Sequence, residues 1–197
     1  SLASRSADAA KEIKLLVGGA TLEANNGKIA STEMIKEYDV LNENIQKTKQ
    51  IIEEKAKEIT ILKTSGTKTK SGLIYKIIKK GSNNKPSNGT QVNINYAGFL
   101  ENGQLFDTSY EDIAKLFGKY NIQRAQQGGY TPIPSTIGNL QFIPGFIEGI
   151  NMMNFGDKLM LYIPSELGYG QEGAGDVIPP NANIVFEVEL LEYKPTN

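Results

Sequence analysis

The 197-residue chain has no cysteine and no histidine. The first absence excludes disulfides, thiolate nucleophiles and cysteine-ligated metals, and it suits a reducing or an oxidising compartment equally. The second removes the usual neutral-pH general base, the serine–histidine arrangement of many hydrolases and the commonest metal ligand. No charge of one sign dominates either. With 21 basic against 22 acidic residues, nothing in the net charge points to nucleic acid or an anionic membrane as partner. No window approaches the roughly 20 apolar residues of a membrane-spanning helix. The opening Ser1-Leu2-Ala3-Ser4-Arg5 lacks an initiator methionine and the apolar core of a signal peptide. It reads as the edge of a fragment, with any targeting signal lying outside it.

What is present is one domain with an appendage. Asp8 to Val17 has the pattern of a short amphipathic helix, interrupted by Gly18-Gly19 and then by the turn signal Asn25-Asn26-Gly27. A second, longer helix is expected to start at Ser31 or Thr32, where a hydroxyl can cap it, and to run to about Leu62. Its apolar positions Tyr38, Leu41, Ile45, Ile52, Ile59 and Leu62 follow a three-four repeat. Such a stripe either packs on the rest of the chain or forms a dimerising arm, with Ile45, Ile52 and Ile59 at the seam. The predicted organisation is a helical appendage at 1–65, a polar linker at 66–72 and a main domain at 73–197. The lysines from Lys68 to Lys80 lack a matching net positive charge and a series of stacking aromatics between them, and read as a solvated face.

The main domain reads as an α+β fold. It has an antiparallel sheet of about five strands wrapped around one short helix. Strands are expected at Leu73–Ile78, Val92–Gly98, Gln104–Ser109, Ile137–Ile143, Lys158–Ile163 and Ile184–Leu190. The helix is expected near Phe146–Met153, and Glu111–Tyr120 reads as a second helical stretch. Gln123–Ser135 and Ser165–Asn183 read as loops, the latter long enough to suggest a functional one. The organising stretch is Gln141–Glu189. Aromatic and branched residues alternate there with glycine and proline turns, and almost no group capable of nucleophilic or metal chemistry appears. Read alone, Tyr96, Phe106, Phe146 and Phe186 are equally core aromatics, and Asp107 a turn carboxylate.

Six short motifs in order narrow this. Asn95-Tyr96-Ala97-Gly98, Gly103 through Ser109, Phe142 through Gly149, Tyr169-Gly170, Ile178-Pro179-Pro180-Asn181-Ala182 and Val185 through Leu190 resemble the FK506-binding family of peptidyl-prolyl cis-trans isomerases. The resemblance covers roughly Gly72 to Tyr193. It implies a half-barrel around a short helix, a proline pocket between them, and rotation of Xaa-Pro bonds during protein folding without cofactor or metal. Matched position by position, Asp107, Tyr169, Ile143, Tyr96 and Phe106 become the catalytic set. Phe142, Phe146, Phe186, Ile178 and Ile137 become the substrate-binding set.

The resemblance further implies proline-containing polypeptides as substrates, FK506-like macrolides as ligands, a dimerising arm like that of some secreted bacterial members, and a periplasmic or envelope location. A cytoplasmic place stays open, as does a non-catalytic peptide-binding or chaperone role. Two departures stand out. Phe146 occupies a position where the family often has tryptophan, and Gly173–Asp176 replaces a histidine- and proline-bearing rim. A third is the enlarged segment 110–136, which reads as groove rim, partner flap or decoration.

Overall fold

The structure, a computed structural model, describes residues 2–194 and the side chains of residues 8–194. The chain divides into two compact units, Ser1–Lys47 and Thr48–Asn197. Helix α1 spans Leu2–Ser65 without interruption, so the expected break at Gly18-Gly19 is absent. A glycine costs a helix only about 1 kcal/mol relative to alanine, which the flanking helix formers absorb. Thr32 does not cap a new helix. Its hydroxyl donates to the Lys28 carbonyl one turn back, at 2.9 Å, a bond that satisfies it inside the helix.

In the first unit every described side chain from residue 8 to residue 47 is exposed. Tyr38, Leu41 and Ile45, half of the expected stripe, are 63%, 56% and 52% exposed. The second unit treats the other half differently. Ile59 and Leu62 are buried against the unit's own sheet, with Ile51 and Ile52 beside them. A dimer seam through Ile45, Ile52 and Ile59 is therefore unavailable, because Ile59 already has its partners.

The sheet has seven antiparallel strands: β1 Thr67–Lys68, β2 Ile74–Lys79, β3 Gln91–Leu100, β4 Leu105–Thr108, β5 Ile133–Thr136, β6 Lys158–Ile163 and β7 Ile184–Glu192. Their order is β1-β2-β6-β7-β3-β4, with β5 also on β3. Two strands were not expected. β1 lies in the polar stretch read as a linker, and it pairs with β2 through its backbone, which polar side chains permit. β5 lies in the segment read as a proline-rich loop. It runs along one end of β3, where Pro134 faces Asn93, and a peripheral strand tolerates a missing N–H. The strand expected at 137–143 is correspondingly absent. Gly138, at φ +87°, turns the chain there, and Pro144–Met152 follows as the short helix α4.

Period-two alternation then sorts the central strands onto two cores. Leu159, Leu161 and Ile163 of β6 and Ile184, Phe186, Val188 and Leu190 of β7 face α4 with its Phe146 and Ile150. Met160 and Tyr162 of β6, Val185 of β7, and Ala97 and Phe99 of β3 face the opposite way, onto Ile59 and Leu62 of α1 and onto Phe117. This second core explains why β6 reads as a nearly continuous apolar run. A charge pair is enclosed beside it. Lys55 of α1 reaches Glu187 of β7 at 2.7 Å, and Lys158 approaches the same carboxylate at 3.4 Å. Burial opposes the Glu187 charge, yet the two lysines outweigh it and hold the carboxyl below its usual range. The turn at Gly103, φ +83°, lies so close to the helix that a Cβ would strike the Ile52 carbonyl.

Replacing Ile59 or Leu62 by alanine in the full chain should destabilise the unit Thr48–Asn197 by about 2–5 kcal/mol. Ile61→Ala, at a neighbouring side chain that is 54% exposed, should change it by no more than about 0.5 kcal/mol. Urea unfolding followed by near-ultraviolet circular dichroism measures both, and equal losses at residues 59 and 61 would contradict the packing.

Candidate functional site

The site forms where the α4 face of the sheet meets the start of α4. In the β3–β7 ladder Gly98 pairs with Phe186, and in the β3–β4 ladder it pairs with Asp107. The glycine is required by what surrounds it. A Cβ there would lie 2.5 Å from the Phe106 ring and 2.8 Å from that of Phe186. The space it leaves lets three rings gather on Phe186. Phe106 and Phe146 meet it edge to face, with centroids 5.4 and 5.0 Å away, and Tyr96 is tilted at 6.0 Å. Phe142 extends the cluster to Phe146 at 5.0 Å. These geometries are the favoured ones for aromatic quadrupoles.

Above the rings opens a cavity of about 590 Å³, bounded by Tyr96, Phe106, Asp107, Phe142, Ile143, Phe146, Tyr169 and Phe186, together with Ile133, Gln141 and Pro144. That volume and its mainly apolar wall suit a small ligand or a side-chain ring. Ile143 precedes α4 in extended conformation, and Pro144 opens the helix with a φ it already favours. The Ile143 carbonyl accepts from the amides of Phe146 and Ile147.

Polar atoms are few and mostly fixed. The Tyr96 hydroxyl donates to Asp107 Oδ2 at 2.5 Å, and the Thr108 amide donates to Oδ1 at 2.8 Å. The Arg124 guanidinium reaches Oδ1 at 2.5 Å. Thr108 and Ser109 secure this corner: the Thr108 hydroxyl donates to the Tyr96 carbonyl, while the Ser109 hydroxyl accepts from the Tyr96 amide and donates to Asn95 Oδ1 at 2.8 Å. Burial, with Asp107 next, pushes the Tyr96 hydroxyl pKa well above the tyrosine range. Burial also raises that of Tyr169, with a smaller contribution from the Asp107 charge. Tyr169 is 37% exposed at the cavity mouth. The arrangement can hold an apolar ring and offer a fixed carboxylate and two hydroxyls. Among the described residues no three carboxylates gather where a metal could sit.

Eight of the ten residues singled out in the sequence meet in this cavity; Ile137 and Ile178 do not. Ile137 is 5% exposed, with its amide on the Thr90 carbonyl and its own carbonyl accepting from Gly89, and it fills the core under α4. Ile133, four residues earlier on the unexpected β5, takes the wall position instead. Ile178 is 4% exposed and pairs through its backbone with Ala174, bracing the long loop from within. The sequence reading also missed Arg124. Its available signal was rarity: only Arg5 and Arg124 are arginines among the 21 basic residues. A planar fork, unlike an ammonium, can join a carboxylate to neighbouring carbonyls.

Comparison with known proteins agrees on one family. Residues 82–191 match the family described as FKBP-type peptidyl-prolyl cis-trans isomerase. The chain is 40% identical over 121 residues to an FK506-binding protein of Neisseria meningitidis serogroup B, covering 61% of this chain and 95% of that protein. It is 34% identical over 175 residues to the FKBP-type peptidyl-prolyl cis-trans isomerase FkpA of Escherichia coli, covering 89% of this chain and 56% of that one. The crystal structure of FkpA from Escherichia coli superposes with a TM-score of 0.51 at 29% identity, over 90% of this chain and 71% of that chain. That of AtFKBP13 gives 0.53 at 27% identity, over 66% and 99%.

The raised Tyr96 pKa has a testable sign. A hydroxyl whose pKa is higher in the folded state holds its proton past the ordinary tyrosine value near 10. The associated stability is present below that value and is lost as pH rises through the folded one. Ultraviolet titration of tyrosinate should therefore show Tyr96→Phe losing one late-ionising tyrosine. Loss of an early one instead would mean that Tyr96 is not held on Asp107.

Proposed function

The chain belongs to the FKBP-type peptidyl-prolyl cis-trans isomerases, and we propose that its isomerase site is the cavity between α4 and the sheet. Rotation about an Xaa-Pro bond is slow because amide resonance must be lost, at a barrier of about 20 kcal/mol. Neither nucleophile nor proton relay is needed to lower it. An enzyme need only bind the twisted amide better than either planar form.

In this reading the proline ring enters the aromatic cluster of Phe106, Phe142, Phe146 and Phe186. Phe146 at its floor supplies a flat apolar surface with no donor to satisfy. The Asp107 carboxylate faces the polarised carbonyl carbon of the twisting amide and does not act as a base. The Ile143 amide and the Tyr169 hydroxyl receive substrate carbonyls. The observation that carries this reading is the Asp107 carboxylate pinned by Tyr96 and Arg124 at the edge of an otherwise apolar cavity. A fixed charge beside a dry wall interacts more strongly with a developing dipole than a mobile, hydrated one.

The substrates are proline-containing polypeptides. FK506-like macrolides are proposed as ligands of the same cavity, with weaker rim contacts at Gly173–Asp176, where the loop carries no large side chain. The first unit is proposed as a dimerising arm. Its support is the unit's exposed apolar side chains, Leu15, Leu22, Ile35 and Leu41 among them, together with the match to FkpA, which covers 89% of this chain and so extends into the unit. A bacterial periplasm or envelope is the proposed location, resting on likeness to FkpA alone. No described helix is long and apolar enough to cross a membrane.

Asp107→Ala should lower kcat/KM on a proline tetrapeptide about tenfold or more, and Tyr169→Phe by about threefold, as expected for a lost charged and a lost neutral hydrogen-bonding group. Wild-type rates in a folded Asp107→Ala protein would remove Asp107 from the site. For the arm, analytical sedimentation should give a dimer for the full chain and a monomer for Thr48–Asn197. Two monomer masses would end that proposal.

A further inference from the structure

The enlarged segment 110–136 folds into two short helices, α2 Glu111–Leu116 and α3 Ile122–Gln126. Lys115, Tyr120, Tyr130 and Arg124 of this segment form one continuous stack that ends on Asp107. The Lys115 ammonium lies 4.7 Å from the centre of the Tyr120 ring. Tyr120 and Tyr130 stack with centroids 5.8 Å apart and planes inclined by 17°. The Arg124 guanidinium lies on the Tyr130 ring, its carbon 4.7 Å from the centre, and meets the Asp107 carboxylate at 2.5 Å.

The guanidinium is engaged along its edge as well as on its face. Nε donates to the Gly129 carbonyl at 2.8 Å and Nη2 to the Thr108 carbonyl at 2.9 Å. Gly129 itself leaves the space that the Arg124 stem occupies. The backbone around the stack is tied to the same residues. The Tyr130 hydroxyl accepts from the Asn121 amide at 2.9 Å, and the Asn121 side chain accepts from the Arg124 amide at 3.0 Å, capping α3. An arginine side chain carries considerable rotamer freedom that must be given up when it is fixed. Its side chain here is 35% exposed, so packing alone does not confine it. The ring face of Tyr130 adds to its three hydrogen-bonded partners in confining it, through a cation–π contact of the kind that orients a guanidinium plane.

We propose that Tyr130 is a positioning residue of the isomerase site, holding Arg124 and through it the Asp107 carboxylate in the orientation shared with Tyr96. The inference rests on the reading of Asp107 given above. Tyr130 touches no substrate. It acts by removing alternative positions of Arg124, which would otherwise leave the carboxylate with one fixed partner fewer. The enlarged segment thereby contributes to the site, and its stack is the means.

The test uses the full chain carrying Tyr130→Ala, Tyr130→Phe, Arg124→Ala, the Tyr130→Ala/Arg124→Ala pair and Asp107→Ala, with kcat and KM measured on a proline tetrapeptide. Tyr130→Ala should lower kcat about fivefold with KM changed less than about twofold, and Tyr130→Phe, which keeps the ring, should retain at least about half of kcat. In the Arg124→Ala background, Tyr130→Ala should cost nothing more, because the two act on one carboxylate. Wild-type kcat in Tyr130→Ala, or an equal further loss in the Arg124→Ala background, overturns the proposal. If near-ultraviolet circular dichroism shows that Tyr130→Ala is unfolded, Tyr130→Leu replaces it under the same criteria, keeping bulk but not the ring. Failure at Tyr130 with an impaired Asp107→Ala rejects this inference alone. Wild-type activity in Asp107→Ala rejects the underlying reading of the site.

Discussion

The antiparallel ladder between β3 and β7 is the constraint on which the rest of the second unit depends. It runs from Val92 opposite Glu192 to Leu100 opposite Ile184. Because side chains alternate, it must serve two cores at once. One face presents Tyr96, Gly98 and Phe186 to α4 and the cavity, and the other presents Ala97, Phe99 and Val185 to α1. A slip of one residue would exchange the faces, driving Glu187 toward the aromatic cluster and Phe186 toward Lys55. The buried charge pair and the aromatic cluster thus exclude the same wrong register from opposite sides of the sheet.

The economy of the cavity follows from the composition. With no histidine or cysteine, selectivity rests on shape and on a few oriented dipoles. Asp107 is the one carboxylate on the cavity wall. Three donors converge on it, from β3, from its own backbone neighbour and from the enlarged segment. The four rings leave few polar atoms on the wall, so each that remains carries much of what the cavity can recognise.

Much of this was legible because it is written in short-range pattern. The alternation in Ile184–Leu190 and the apolar run after Lys158 mark strands that the structure contains, and the motifs around Tyr96, Asp107, Ile143 and Tyr169 supply residues that converge. What escaped the reading was set by tertiary context. β1 and β5 are strands because β2 and β3 offer them backbone partners, not because Thr67, Lys68 or Pro134 favour strands. Packing of Ile59 and Leu62 on the rest of the chain was one of their two expected fates, but their partners Met160, Tyr162 and Val185 were not legible, because they look apolar for the same reason whichever helix covers them. Glycine pairs were weighed too heavily in α1, where a long run of helix formers dilutes their cost. Ile137 is in the core and Ile133 on the cavity wall because the strand lies at 133–136 and the chain turns at Gly138, which period-two counting does not reveal.

The contact at Gly103 bears on how far the pieces of this chain are interchangeable. Between β3 and β4 the turn sits against the backbone of α1 at Ile52 and Ala56, with no side chain between them. Two backbones that touch directly must match in path as well as in polarity. A chimaera that joined a foreign helix at the polar stretch after Ser65 would have to reproduce that path, whereas one joined near Thr48 would carry the matching surface with it. The natural unit of exchange is therefore the domain together with the last turns of its helix, and the helix is the thing that would be cut.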